Sequence, residues 1–237
     1  AALDNGTTAL IIAQSSVGGN LTLTSGHASG ITDSGTVTVG GNFSATTNAN
    51  NGDIDMETLA VTGTITLTTN DDANNNTGHA TVVNTTQVTL ASSSIDGNFS
   101  ATATTGNITD SGTLTITGTS SFTTSANEAT IVLDDTSNAF TGALTITTND
   151  NSGTDADVII DGGTTALVIA ASTIDGDLTL RSGHASGITD SGTVTVGGNL
   201  AATTDANNGV IDLGTLAVDG TMALVTDGTG AATVVND

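Results

Sequence analysis

Apolar and polar residues alternate along this chain in short bursts, and the bursts recur. In Asn20-Leu21-Thr22-Leu23-Thr24 the leucines fall on one face and the threonines on the other, as a period of two requires. Ile31-Thr32-Asp33 follows, then Thr36-Val37-Thr38-Val39. Between them stand residues 25–30, Ser34-Gly35 and Gly40-Gly41, small residues suited to tight corners. Residues 19–40 therefore predict three short strands joined by turns. No segment carries the 3.6-residue period of a helix.

One glycine precedes the first strand of each such unit: Gly19, Gly41, Gly63, Gly97, Gly118, Gly142, Gly176, Gly198 and Gly220. The spacings are 22, 22, 34, 21, 24, 34, 22 and 22 residues, a repeat of repeats. Three units make a module of 78 or 79 residues, and Gly19 and Gly176 stand 157 apart. The stretch 25–42 returns letter for letter at 182–199, with a diverged copy at 104–119. A single unit cannot bury its apolar face, whereas stacked units share a core. The expected fold is all-β, a parallel β-helix with three short strands per coil of about 22 residues and about nine coils, roughly 43 Å long at the strand spacing.

The expected organisation is one continuous solenoid over 1–237. Residues 1–18 end a preceding coil, 19–96 and 97–175 are three-coil modules, and 176–237 is an incomplete third module. The 34-residue coils accommodate polar insertions at 70–78 and 149–155. Superposing the coils gives two expected columns. One is an inward column of first strands: Leu21/Leu23, Phe43/Ala45, Ile65/Leu67, Phe99/Ala101, Ser120/Phe122, Leu144/Ile146, Leu178/Leu180, Leu200/Ala202 and Met222/Leu224. The other is an edge ladder after the second strand: Asp33, Asp55, Asn84, Asp110, Asp134, Asp161, Asp190, Asp212 and Asn236. The last residues resume the phase of Ala2-Leu3-Asp4, which predicts a segment of a longer array or a subunit that stacks end to end.

Composition narrows the function. The chain has one basic residue, Arg181, against 24 Asp and Glu, for a net charge of −23. Such a surface repels phosphate backbones and anionic lipid, so nucleic-acid and membrane partners are disfavoured. Cys, Pro, Trp and Tyr are absent. No run of 18 apolar residues is long enough to cross a bilayer as a helix.

The runs VGGNLTLTSG, ITDSGTVTVGGNFSAT, LAVTGTITLTT and TALIIAQSSVGGN resemble the repeat regions of filamentous-haemagglutinin-type exoproteins of two-partner secretion. The resemblance spans essentially the whole chain. It implies a right-handed β-helix shaft in a secreted bacterial adhesin, with an extracellular or cell-surface location. Nothing in the sequence matches that family's N-terminal secretion domain.

Candidate chemistry is sparse. Asp33, Asp55, Asp110, Asp134, Asp161, Asp190 and Asp212 are candidate Ca²⁺ ligands, since hard cations take several carboxylate oxygens. The simpler reading is that each caps its own corner by accepting backbone N–H bonds. The nonapeptide calcium-roll repeat is missing, so no cofactor is expected. Asp71-Asp72 and Asp134-Asp135 are paired carboxylates of the sort that glycoside hydrolysis uses. A chain with one Arg and no Lys, Trp or Tyr offers little to hold a glycan, so no enzyme is expected. His27 and His184 lie seven coils apart, too far to share a zinc ion; with His79 they read as corner residues. Outward Thr22/Thr24, Thr66/Thr68 and Thr145/Thr147 suggest an ice-binding array, but Ser44, Ser100, Ser121, Ala201, Ala223 and Arg181 interrupt it. Asn-x-Ser/Thr sequons begin at Asn5, Asn20, Asn42, Asn75, Asn84, Asn98 and Asn107, and Asn75 is the most open of them.

The expected role is a non-enzymatic structural segment, a rigid shaft or filament in adhesion or cell-surface architecture. Its partners are end-to-end copies, the rest of a longer chain, or a cell-surface or glycan receptor. The alternatives are a subunit of a stacked extracellular filament or sheath, a calcium-stabilised or ice-binding solenoid, and a carbohydrate-active β-helix.

Overall fold

The computed structural model describes residues 1–49, 51–70, 77–151 and 156–237. All described secondary structure is β, and every strand pairing is parallel. The strands stack in two long sheets. One runs through Ala2–Asp4, Leu21–Ser25, Phe43–Thr47, Thr64–Thr68, Val88–Leu90, Ile108–Asp110, Ile131–Leu133, Val158–Asp161, Leu178–Ser182, Leu200–Thr204 and Met222–Val225. That is ten steps of about 22 residues, one turn each, so the shaft has ten turns.

The tenth turn arises because the 34-residue units are one and a half turns long. Most turns have one wide strand on one side of the solenoid and a bent pair of short strands on the other. Over residues 2–68 the wide strand lies in the first sheet, as in Leu21–Ser25, and the pair lies in the second, as in Ile31–Asp33 and Val37–Val39. From Ala80–Asn84 onward the wide strands Phe99–Ala103, Ser120–Asn127 and Leu144–Asn149 belong to the second sheet. The pairs, such as Ile108–Asp110 with Leu114–Ile116, now lie in the first. From Val158–Asp161 the arrangement reverts. A module is thus three and a half turns, and only two modules, from Leu21 to Leu178 in seven steps, return a residue to its side.

This corrects the inward column expected from the sequence. Leu21, Phe43 and Ile65 are in register on one sheet, but Phe99, Ser120 and Leu144 form a register on the other, above Leu10, Ile31, Ile54 and Ala80. Homologous strands share a sequence pattern without sharing a side.

Side chains make each exchange of sides possible. Ala80–Asn84 covers only part of the eight-residue strand Ile54–Val61, with a register break between Val82 and Asn84. The Asn84 carboxamide completes the ladder: Val61 N–H donates to Oδ1 (2.8 Å) and Nδ2 donates to Val61 O (3.0 Å). Asn236 repeats this on Val218, at 2.7 and 3.2 Å. On the opposite side, Val88–Leu90 and Ser93–Ile95 together cover Thr64–Thr68, and Leu67 N–H donates to Ser93 Oγ (3.0 Å) across the gap. Ser172 does the same for Ile146 N–H, also at 3.0 Å.

The inward residues form one continuous apolar column from Leu10 to Val218. Three of its few aromatics meet edge to face: Phe99 with Phe122 of the next turn at 5.7 Å, and Phe122 with Phe140 on the other side of its own turn at 6.1 Å. Where wide strands end, buried hydroxyls tie off the corner, as Thr47 Oγ1 does by donating to Gly52 O at 2.8 Å and Thr204 Oγ1 to Gly209 O at 2.7 Å.

Candidate functional site

The expected aspartate ladder does not form as one edge. Asp33, Asp55, Asp190 and Asp212 lie with the second sheet, and Asp110, Asp134 and Asp161 with the first. Within a sheet they are also out of register, since Asp55 lies beside Thr32 and Asp212 beside Thr189. Counting from each coil's glycine aligned them, but the half-turn modules and the bent strands separate them.

Three of these residues cap a corner of the following turn, not their own. Asp33 accepts from Glu57 N–H (3.2 Å), Thr58 N–H (2.8 Å) and Thr58 Oγ1 (2.8 Å). Asp190 accepts from Gly214 N–H (3.1 Å), Thr215 N–H (2.7 Å) and Thr215 Oγ1 (2.9 Å). Asp110 takes Asp134 N–H (3.3 Å), Asp135 N–H (3.2 Å) and Asn138 Nδ2 (2.7 Å). The Asp134-Asp135 pair is therefore a capped corner; Asp71-Asp72 lie outside the described residues.

Burial pushes the carboxyls of Asp55, Asp110 and Asp161 above the ordinary value. Around Asp55 the charges of Glu57, Asp33 and Asp53 push the same way. At Asp110 burial outweighs the bonds from Asn138, Asp135 and Asp134. Asp161 is offset in part by Gly163 N–H at 2.7 Å and by Arg181 at 3.8 Å. Arg181 in turn holds Asp205 across the next turn, Nε to Oδ2 at 2.7 Å. Among the described residues no three His, Cys, Asp or Glu converge as a set of metal ligands.

A second polar pattern was overlooked in the sequence: three inter-turn runs of side chains just before strands, the first and third beside the first sheet and the middle one beside the second, with Asn20, Asn42, Asn98, Asp177 and Asn199 directly after a recurring glycine. Asn20 Oδ1 accepts Asn42 N–H (2.9 Å), and Asn42 Oδ1 accepts Thr64 N–H (3.1 Å). Asp53 accepts His79 N–H (2.7 Å), His79 Nδ1 accepts Asn98 N–H (2.8 Å), and Asn98 accepts Thr119 N–H (2.9 Å). Asp157, Asp177 and Asn199 continue the pattern to Thr221, at 2.8, 2.6 and 2.9 Å. These runs explain the glycines. A Cβ on Gly41 would stand 2.3 Å from Asn20 Oδ1, and one on Gly198 would stand 2.2 Å from Asp177 Oδ1. The recurring glycine clears space for the rung of the turn before. A left-handed backbone is needed elsewhere, at Gly30 (φ 66) and Gly187 (φ 62) in the repeated corner.

The same bonds account for the sequons. The side chains of Asn20, Asn42, Asn98 and Asn107 are held as acceptors, Asn84 is fully buried, and Asn5 donates to Ala9 O at 2.9 Å. Asn75 lies outside the described residues. His27 and His184 each accept a backbone N–H two residues on, from Ser29 and Ser186, both at 3.0 Å. The outward hydroxyls regroup under the true register. Ser100 and Ser121 stand between Thr81 and Thr145 on the second sheet, while Thr22, Ser44 and Thr66 stand on the first. Shallow grooves of about 300 Å³ open beside Thr141, Thr165 and His184, and 79 residues earlier beside Thr62, Thr86 and Thr105.

No curated protein and no solved structure matches the chain. A family model described as repeats of unknown function, DUF5649, matches residues 77–147 and 155–213, more than half of the length. The two matched stretches are successive modules with the same wide-strand and bent-pair pattern on opposite sides. The chain is a β-solenoid belonging to the DUF5649 repeat family.

Proposed function

We propose that this solenoid is a non-enzymatic shaft, a rigid spacer in an extracellular bacterial surface protein of the filamentous-haemagglutinin kind, serving adhesion or cell-surface architecture. The observation that carries this reading is where the polar side chains go. Asp33, Asp110, Asp190 and the three runs that include Asn20, Asn98 and Asn199 are occupied in joining one turn to the next. They form an axial scaffold around a continuous core. The net charge of −23 keeps neighbouring shafts apart sideways at low salt. No cofactor or metal enters the reading, so the melting midpoint is expected to be equal in Ca²⁺ and in EDTA.

The test is surface labelling. Antibody raised against residues 1–237 should decorate intact cells of the source bacterium. By electron microscopy, removing 157 residues should shorten the decorated projection by about 34 Å, seven strand spacings. Labelling of permeabilised cells alone would overturn the extracellular assignment, and an unchanged projection would overturn the shaft.

A stacked filament is the second reading, favoured by the apolar residues on the outermost turns. Leu3 and Met222 stand in register with the buried Leu23 and Leu200, yet are exposed at 46% and 38% because no further turn covers them. Sedimentation separates the two readings. Concentration-dependent growth in steps of one chain supports stacking, and a single monomer boundary refutes it.

A further inference from the structure

We propose that His79 is a pH-operated rung of the shaft. When its imidazole takes up a proton, the seam between the turns carrying Ala80–Asn84 and Phe99–Ala103 opens at Asn98, while the other rungs stay closed. The geometry sets this up. His79 occupies a place in the inter-turn runs that is otherwise filled by Asn or Asp, and its Nδ1 accepts Asn98 N–H at 2.8 Å. A neutral imidazole has one donor and one acceptor nitrogen, so acceptance at Nδ1 leaves the ring proton on Nε2. A second proton then has only Nδ1 to go to. The acceptor becomes a donor aimed at an N–H, and the ring must turn away.

The amide rungs Asn20, Asn42, Asn98 and Asn199 have no such transition, because a carboxamide oxygen accepts at any ordinary pH. His27 and His184 accept inside their own corner, two residues on, so their protonation disturbs a corner and not a seam. The surroundings permit the change. Asp53 of the turn before holds the His79 N–H at 2.7 Å, and Asp96 lies two residues before Asn98 in the turn after. Thr77 and Asn51, hydrogen-bonded to each other beside it, are neutral. The one Lys or Arg of the chain, Arg181, belongs to turns far along the shaft, so no cation opposes the proton. Imidazoles change charge between about pH 5 and 8.

The experiment is residue-resolved amide exchange at pH 8 and pH 5, corrected for intrinsic rates, with ring ¹⁵N shifts read on the same samples. In the native protein the Asn98 amide should lose about tenfold protection or more at pH 5. The loss should follow the His79 ring shift. His79→Asn, which installs the rung used elsewhere, should abolish the response, and His27→Asn should leave it intact. Equal Asn98 protection at both pH values, a His79 ring that stays neutral at pH 5, or the same loss in His79→Asn would each overturn the proposal. The first two are read on the native chain, so the outcome does not depend on a variant folding.

Discussion

Asn84 should be the most expensive polar side chain in the shaft to remove. It is fully buried at an exchange of sides, where its carboxamide stands in for a strand residue. Oδ1 takes Val61 N–H, and Nδ2 donates to Val61 O (3.0 Å), Thr86 Oγ1 (3.1 Å) and Gln87 O (2.6 Å). Val61 O keeps Thr86 Oγ1 at 2.9 Å, so Asn84→Ala chiefly strands Val61 N–H and Gln87 O. Lost bonds near 1 kcal/mol each, with a buried donor left unpaired, give a cost of about 3–4 kcal/mol. Asn84→Asp keeps the shape but sets a carboxylate oxygen against two carbonyl oxygens, without a counter-charge. At pH 7 it should cost about 3–5 kcal/mol, as an uncompensated buried charge does. Burial raises that carboxyl, so the deficit belongs to pH values above its folded pKa and should shrink as acid protonates it. Urea unfolding measures the total, and amide exchange at Val61 measures the local part, because a solenoid opens in sections. The exposed rung variant Asn42→Ala, with one bond lost, should cost about 0.5–1 kcal/mol. An Asn84→Ala variant within about 1 kcal/mol of the native chain, or an Asn84→Asp variant equal to it at pH 7, would refute the role given to this carboxamide.

Phe122→Ala should lose about 3–5 kcal/mol in urea unfolding, because it empties the middle of the Phe99–Phe122–Phe140 stack; a loss below about 1 kcal/mol would show that the turns collapse onto the gap. Asp55, Asp110 and Asp161 have carboxyls raised by burial above 3.8, so the fold binds their protons more tightly than the unfolded chain does. That contribution is complete below the unfolded value and is lost as pH rises through the folded ones, so calorimetry should find the melting midpoint rising from pH 7 toward pH 4; a steady fall would refute this. Spin labels on cysteines placed at Ala28 and Ala185, in a chain otherwise free of Cys, should lie about 34 Å apart, seven turns along the same corner. Deleting 97–175 should put them on opposite edges, farther apart than the axial offset of about 17 Å, whereas a separation near 14 Å would mean that a module makes three whole turns.

Much of the architecture was readable from period-two alternation. Leu21, Leu23, Phe43, Ala45, Ile65 and Leu67 were assigned inward and are buried, and the corners fall where Gly and Ser cluster. What a linear pattern does not encode is angle around the axis. The strands Leu21–Ser25 and Phe99–Ala103 carry the same local signature, and both are wide strands, yet they lie on opposite sheets. The extra half turn sits in the 34-residue units, whose added length looked like a corner insertion and in fact includes another strand. The polar columns divided in the same way. That Asp33 caps something was legible; that it reaches Thr58 on the next turn depends on stacking, which no single coil specifies. Asn20 and Asn42 were visible beside their glycines, and the unused signal was that regularity. Asn20, Asn42, His79, Asp157, Asp177 and Asn199 each stand where a Cβ on a recurring glycine one turn on would be, so Gly-Asx repeated at coil spacing marks an inter-turn run.

The half-turn module also gives physical meaning to the length of the perfect repeat. What the coil demands is shared by all three copies of the opening motif. Ile31, Ile108 and Ile188 point into the core. Asp33, Asp110 and Asp190 each accept backbone N–H groups from the following turn. The middle copy meets those demands with a different corner and no counterpart of His27, so folding alone does not require the identity between 25–42 and 182–199. Those two stretches are the ones that face the same way, seven turns apart, while the middle copy faces the opposite side. Copying 79 residues would carry a surface to the far side of the shaft. Copying 157 adds turns and keeps every corner on its original edge, so among duplications of whole modules it is the shortest that lengthens this solenoid without exchanging its two faces.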